Sequence, residues 1–154
     1  METRDFEQSR GESESDALKM SNFQFPMSNQ CQNPNVKSEY DLVERTSRFG
    51  EEIIDFIKTI PNNPVNQTLI IQLVRSATSV GANYMEADCA ESKKDFRHKI
   101  GISKKEAKES AHWIRMIARA NPDKAPDCRK HWKEAHELTL IFSAILNSKK
   151  NQDD

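Results

Sequence analysis

Apolar residues in this chain recur every three or four positions over long stretches, the period of helices buried along one face. Leu42, Phe49, Ile53, Phe56, Ile57 and Ile60 mark a first helix over residues 38–60, which Ser38 or Asp41 can cap and Pro61 stops. Asn63-Pro64 puts a capping side chain ahead of a proline at the first helical position, and a second helix runs from there to about residue 89. On its wheel Leu69, Leu73, Ala77, Val80, Tyr84 and Ala87 share an arc of about 80°. Ile70, Val74 and Gly81 widen that arc, and Ile71 and Met85 widen it further. Only Gln72, Arg75, Ser79, Asn83 and Glu86 form a polar strip, so this helix is expected to be buried on more than one side. Ser92 can cap a third helix that ends at Asn121-Pro122, with Asp95 in its first turn to suit the helix dipole. A fourth begins within residues 122–127 and runs to about 149, with Trp132, Ala135, Leu138, Phe142 and Ile145 inward. Long rods joined by short links predict an all-α fold, an antiparallel up-down-up-down four-helix bundle.

Composition sharpens this picture. With only 4 glycines and 6 prolines in 154 residues, the chain has too few turn residues for an all-β or α/β protein. Residues 1–37 are rich in Glu, Ser, Gln and Asn and poor in aliphatic side chains, so a disordered tail is expected there, followed by the bundle over 38–149 and a disordered C-terminus over 150–154. Met20 and Met27 are alternative start sites, and Phe23, Phe25 and Pro26 could form a small docking motif, although an unstructured leader is the simpler reading. The N-terminus has no apolar h-region, and Leu69-Ile70-Ile71 with Leu73-Val74 is too short an apolar run to span a bilayer. Cys31, Cys89 and Cys128 are odd in number and show no Cys-x-x-Cys, which reads as reduced thiols in a cytoplasmic protein.

The net charge of −1 gives no global signal for nucleic acid, but its distribution is uneven. Residues 93–133 hold thirteen basic and five acidic side chains, whereas residues 37–92 hold five and nine. On the third helix, Lys93, Lys104, Lys108, Arg115 and Arg119 fall within about 40° of Arg97, and Lys94 and Lys105 within about 80°. No acid interrupts that arc, because Glu106 and Glu109 point elsewhere, whereas an ordinary solvated helix face mixes signs. The stripe is therefore a candidate phosphate-binding surface, with a solvated or partner-facing surface as the alternative.

The same helix carries two apolar surfaces. Phe96, Ile100, Ala107, Ile114 and Ala118 form one, read as bundle core. Ile102, Trp113 and Met116 lie beside Glu106 on another, either a wide core or a subunit interface. Together with Ile71 and Met85 on the second helix they make oligomerisation the expectation. The strip of Arg75, Ser79, Asn83 and Glu86 reads as polar groups set between helices or subunits to fix register rather than as a ligand site. A di-iron bundle needs paired Glu-x-x-His motifs, and this chain has none; Asp95-x-x-His98 and Cys128-x-x-His131 are the nearest approaches. Gly50, Gly81 and Gly101 are isolated within helices and form no phosphate loop. No metal, cofactor or small-molecule substrate is expected, no membrane partner, and no enzymatic activity.

The stretch Arg75-Ser76-Ala77-Thr78-Ser79-Val80-Gly81-Ala82-Asn83-Tyr84-Met85-Glu86-Ala87 resembles the second helix of the four helix bundle proteins, also called 23S ribosomal RNA intervening-sequence proteins. So does Ala90-Glu91-Ser92-Lys93-Lys94-Asp95-Phe96, continuing into Lys99, Ile102, Glu106-Ala107 and Glu109. The resemblance covers about residues 40–148. It implies a bacterial protein, a homopentameric ring or barrel of bundles, and no established catalytic activity. It also implies kinship to the accessory protein of diversity-generating retroelements, a basic bundle that binds nucleic acid and a reverse transcriptase. The expected function is a non-enzymatic oligomeric scaffold that binds RNA or DNA through the basic face of the third helix. The rival is a protein–protein adaptor or structural ring with no nucleic-acid role.

Overall fold

In the computed structural model, which describes residues 41–148, four α-helices follow one another: α1 (Leu42–Ile57), α2 (Pro64–Asp88), α3 (Lys93–Ala120) and α4 (Ala125–Ser148), with a 3₁₀ turn at Pro122–Lys124. Expectations for the N-terminal tail, residues 150–154, Ser38, Met20, Met27 and the Phe23–Phe25–Pro26 motif fall outside the described residues. Each of the first three helices starts where a side chain satisfies the orphan amides of its first turn. Asp41 Oδ1 accepts from Val43 and Glu44 N (3.0 and 3.2 Å), Asn63 Oδ1 from Asn66 N (2.9 Å), and Ser92 Oγ from Asp95 N (3.1 Å). The first helix is shorter than the 38–60 expected: residues 58–60 form a turn, with Thr59 N bonding to Phe56 O.

Contacts between helices set the topology. Gly50 lies against Ala77 and Thr78, while Gly81 lies against Thr46 and Ser47, so α1 and α2 run antiparallel. Ser103 donates to Val80 O (3.3 Å) and Ser110 to Ser76 Oγ (2.9 Å), with Asn121 against Asn66 at the far end, so α3 runs antiparallel to α2. Arg97 reaches Leu146 O (3.1 Å), and Ile114 faces Cys128 across a cleft, which orients α4. The chain closes where Arg45 on α1 donates to both carboxylate oxygens of Glu134 (2.6 and 2.9 Å) and to Glu137 (2.7 Å) on α4. The Glu134 carboxylate holds the Arg45 guanidinium above its ordinary range, against the opposing effect of burial.

The core is formed by Phe49, Ile53, Phe56, Leu73, Val80, Ile100, Ile114, Ile117, Leu138 and Phe142, all 5% exposed or less. Between α2 and α3 it includes small residues: Ser76 meets Ser110, and Ser103 meets the backbone of Val80, with Ala107 also buried on α3. Small side chains let two helix axes approach closely, and the buried hydroxyls satisfy one another or a backbone carbonyl. At one end of this seam Asn66 and Asn121, both buried, exchange amide hydrogen bonds at 2.9 Å in each direction.

Three expectations need correction. α2 is not buried on more than one side in the monomer: Ile71 is 65% exposed and Met85 48%. Its wide apolar arc exceeds what α1 and α3 cover. Trp132 is not inward but 39% exposed, because the buried face of α4 is centred on Cys128, His131, Ala135, Leu138 and Phe142. Among the thiols, Cys128 is free and buried, but Cys89, at the exposed C-terminal cap of α2, is disulfide-bonded. Among the described residues, no helix is long and apolar enough to cross a membrane.

Candidate nucleic-acid interface

α3 carries the densest charge in the bundle, and its local sequence explains how that charge is presented. Ile100, Ser103, Ala107, Ser110, Ile114 and Ile117 turn inward, which leaves the opposite face to lysine and arginine. Lys93, Lys94, Lys105, Lys108, Arg115 and Arg119 are exposed, and Arg97 and Lys104 are half-buried. Arg97 is committed to the end of α4 through its bond to Leu146 O. Among the described residues, Lys94, Lys104, Lys108, Arg115 and Arg119 form no ion pair. Many cations elsewhere do: Arg45 with Glu134 and Glu137, Arg48 with Glu52, Lys58 with Asp55, Lys99 with Glu86, and Lys130 with Glu52. Lys94, Lys104, Lys108, Arg115 and Arg119 therefore stand on one helix face without an acidic partner among the described residues.

Two members of the stripe, Arg97 and Arg115, reach the seam between α3 and α4. Near the start of α4 this seam opens into a cleft of about 370 Å³ lined by Ile114, Arg115, Ala118, Ala125, Cys128, Arg129 and Trp132. Trp132 forms one wall, with its ring stacked on His136 at a centroid separation of 5.1 Å and an interplanar angle of 7°. The antiparallel packing joins Arg97 to Leu146 at one end of the seam and sets Arg115 beside Arg129 at the other. At the cleft, α3 contributes Arg115 and α4 contributes Trp132 and Arg129. Trp132, His136 and Arg129 were not identified as site residues by hydrophobic periodicity, which assigned Trp132 to the core. Their shared face, spaced three and four residues apart beside the α3 stripe, was the available signal.

The candidate interface residues separate. Ile71 and Met85 project outward from α2. Ile102 and Met116 are half-buried, and Trp113 packs against the core while its Nε1 donates to Glu109 Oε1 (3.1 Å). Burial, and then the nearby Glu109 charge, raises the Glu106 carboxyl above its ordinary pKa. In the polar strip of α2, Arg75 is exposed and close enough to oppose that shift in Glu106, and Asn83 donates to Ser79 O (2.9 Å). Glu86 pairs with Lys99 across to α3. Of the second motif, Glu91 is exposed, Ser92 is the cap, Asp95 occupies the first turn, and Phe96 packs half-buried against the core next to the inward Ile100.

The ionic groove between α1 and α4 is a weaker candidate. Its lining holds four cations, Arg45, Arg48, Lys130 and Lys133, against Glu52, Glu134 and Glu137, and all but Lys133 are ion-paired among the described residues, so little net field is left for a ligand. Cys128 and His131 do not resemble a metal or catalytic pair. Burial, reinforced by Asp127, pushes the Cys128 thiol up to about 11, and burial lowers the His131 pKa. Among the described residues, no group of three or more His, Cys, Asp and Glu side chains converges.

The profile of the 23S rRNA-intervening sequence protein family matches residues 38–144. Among solved structures, the chain is similar to a protein of unknown function from the S23 ribosomal protein family of Bacteroides thetaiotaomicron VPI-5482. The two are 27% identical with a TM-score of 0.60, over 68% of this chain and 97% of that one. No curated protein matches the chain.

Proposed function

This chain belongs to the 23S rRNA-intervening sequence protein family, and from that premise we propose that it is a non-enzymatic, oligomeric scaffold that holds RNA or DNA by its phosphates on the α3 stripe. The observation that carries this reading is the row of cations on α3, of which Lys94, Lys104, Lys108, Arg115 and Arg119 form no ion pair among the described residues, while Arg45, Arg48, Lys58, Lys99 and Lys130 do. A row of cations recognises the regular charge of a phosphate backbone and offers neither nucleophile nor general base. It predicts binding with little sequence preference that weakens steeply as salt displaces the released counterions.

The exposed apolar side chains of α2 support self-association, with the homopentamer of the family resemblance as the expected form. They also favour the second reading, a protein-binding ring that does not touch nucleic acid. The two separate in a gel-shift titration of the triple variant Lys104→Glu, Lys105→Glu, Lys108→Glu against wild type, at low and moderate salt. Phosphate binding predicts that wild type retains the probe at low salt and releases it at moderate salt. The variant should lose retention while helical circular dichroism and oligomer size persist. Retention equal to wild type would remove the stripe from the account.

A further inference from the structure

We infer that the cleft around Trp132 seats an unpaired base, so that the ligand of this surface is a single strand rather than a duplex; this inference rests on the phosphate-binding reading above. A large aromatic ring 39% exposed at the edge of a bundle is costly in water unless something covers it. The ring is also pre-positioned. His136 stacks on it in a nearly parallel plane, so ordering it would cost a ligand little. The remaining cleft wall is apolar, from Ile114, Ala118, Ala125 and Cys128, and two guanidinium groups, Arg115 and Arg129, flank it. Among the described residues neither arginine forms an ion pair, and no acidic side chain lines the cleft. Its volume of about 370 Å³ falls within the range of small-ligand clefts, roughly 300–1,000 Å³.

This combination matches a nucleotide in parts: an apolar slot with an indole wall for the base and cations beside it for the phosphates. In a duplex both faces of each base are covered by its neighbours, so the Trp132 ring cannot stack on them. An unpaired base can be turned out into the slot. The α3 stripe then continues the track, since Lys108 and Lys104 follow from Arg115 on the same face of α3 at helical spacing.

The test uses the full chain and labelled twelve-residue oligoadenylate, in ribose and deoxyribose forms, either alone or annealed to its complement, with binding followed by anisotropy. Wild type should prefer the single strand to the duplex. Trp132→Ala should weaken single-strand binding about tenfold and leave duplex binding unchanged, and Trp132→Phe should restore most of the loss, because stacking needs only a ring. Arg115→Gln with Arg129→Gln should flatten the salt dependence of single-strand binding. If Trp132→Ala binds the single strand as wild type does, the cleft is not a base seat, although the stripe can still bind phosphates. If wild type binds neither form at any salt, the underlying reading falls as well.

Discussion

At the scale of single residues, several buried polar groups have their partners within the bundle. Asn66 and Asn121 satisfy each other at the end of the α2–α3 seam, and Asn66 Nδ2 reaches Pro61 O (2.8 Å) while Asn121 Nδ2 reaches Ile117 O (3.0 Å). His131 is a different case, a titratable ring 7% exposed whose closest aromatic neighbour is Phe56, with centroids 4.8 Å apart. Burial, and then Lys130, lowers its pKa, while Glu52 and Asp127 act weakly in the opposite sense. Because the folded pKa lies below the unfolded value of 6.5, the neutral ring contributes its full stability above pH 6.5. That contribution is lost as pH falls through the folded pKa, since the unfolded chain takes up the proton first. Urea midpoints should therefore drop between pH 7.5 and 5.5, above the range where most carboxylates titrate. His131→Phe should flatten that drop, and an equally steep drop in the variant would assign the effect to other groups.

At the scale of elements, the two glycines of α2 and α3 should respond to alanine with opposite signs. A Cβ on Gly101 would meet nothing within 4 Å, and the position lies inside a helix. Gly101→Ala should therefore stabilise the bundle by about 0.5–1 kcal/mol, through the reduced freedom of the unfolded chain. A Cβ on Gly81 would stand 3.3 Å from Thr46 O and 3.4 Å from Ser47 N, against the backbone of α1. Gly81→Ala must push α1 outward and should cost about 1 kcal/mol or more. Denaturant unfolding of both variants checks the pair, and a stabilising Gly81→Ala would mean that the α1–α2 seam is looser than its contacts suggest. α1 and α4 are joined both by Arg45, which bridges two glutamates beside the groove between these helices, and by the Phe56–His131 ring contact.

At the scale of the whole molecule, two unlike surfaces lie on different sides of the bundle. The α3–α4 seam is cationic with an aromatic slot, whereas α2 presents Ile71 and Met85 as exposed apolar side chains. Burying such side chains between copies is the expected driving force for assembly. Wild type should sediment as an oligomer, and Ile71→Glu with Met85→Glu should sediment as a folded monomer with unchanged helicity, because neither residue belongs to the monomer core. A wild type that sediments as a monomer would refute the interface. Repeating the cationic seam around a ring would multiply weak contacts to one strand, so the dissociated variant should also bind nucleic acid more weakly.

The order and type of the helices, their caps at Asp41, Asn63 and Ser92, and the one-sided charge of α3 were legible from residue spacing alone, because capping, helical period and charge pattern are local properties. What spacing could not decide was which part of each apolar arc faced a neighbour. A helical wheel ranks residues around one axis, but burial depends on how closely the next axis approaches. The small residues of α2 and α3 drew those helices together, which took Ser103 and Ser110 into the core and left Ile71 outside. The same competition rotated α4 onto Cys128 and His131 and brought Trp132 to the rim, beside arginines from two helices that are distant in sequence. Only the packing of α3 against α4 places those groups in one cleft, because they share no local pattern until the helices meet.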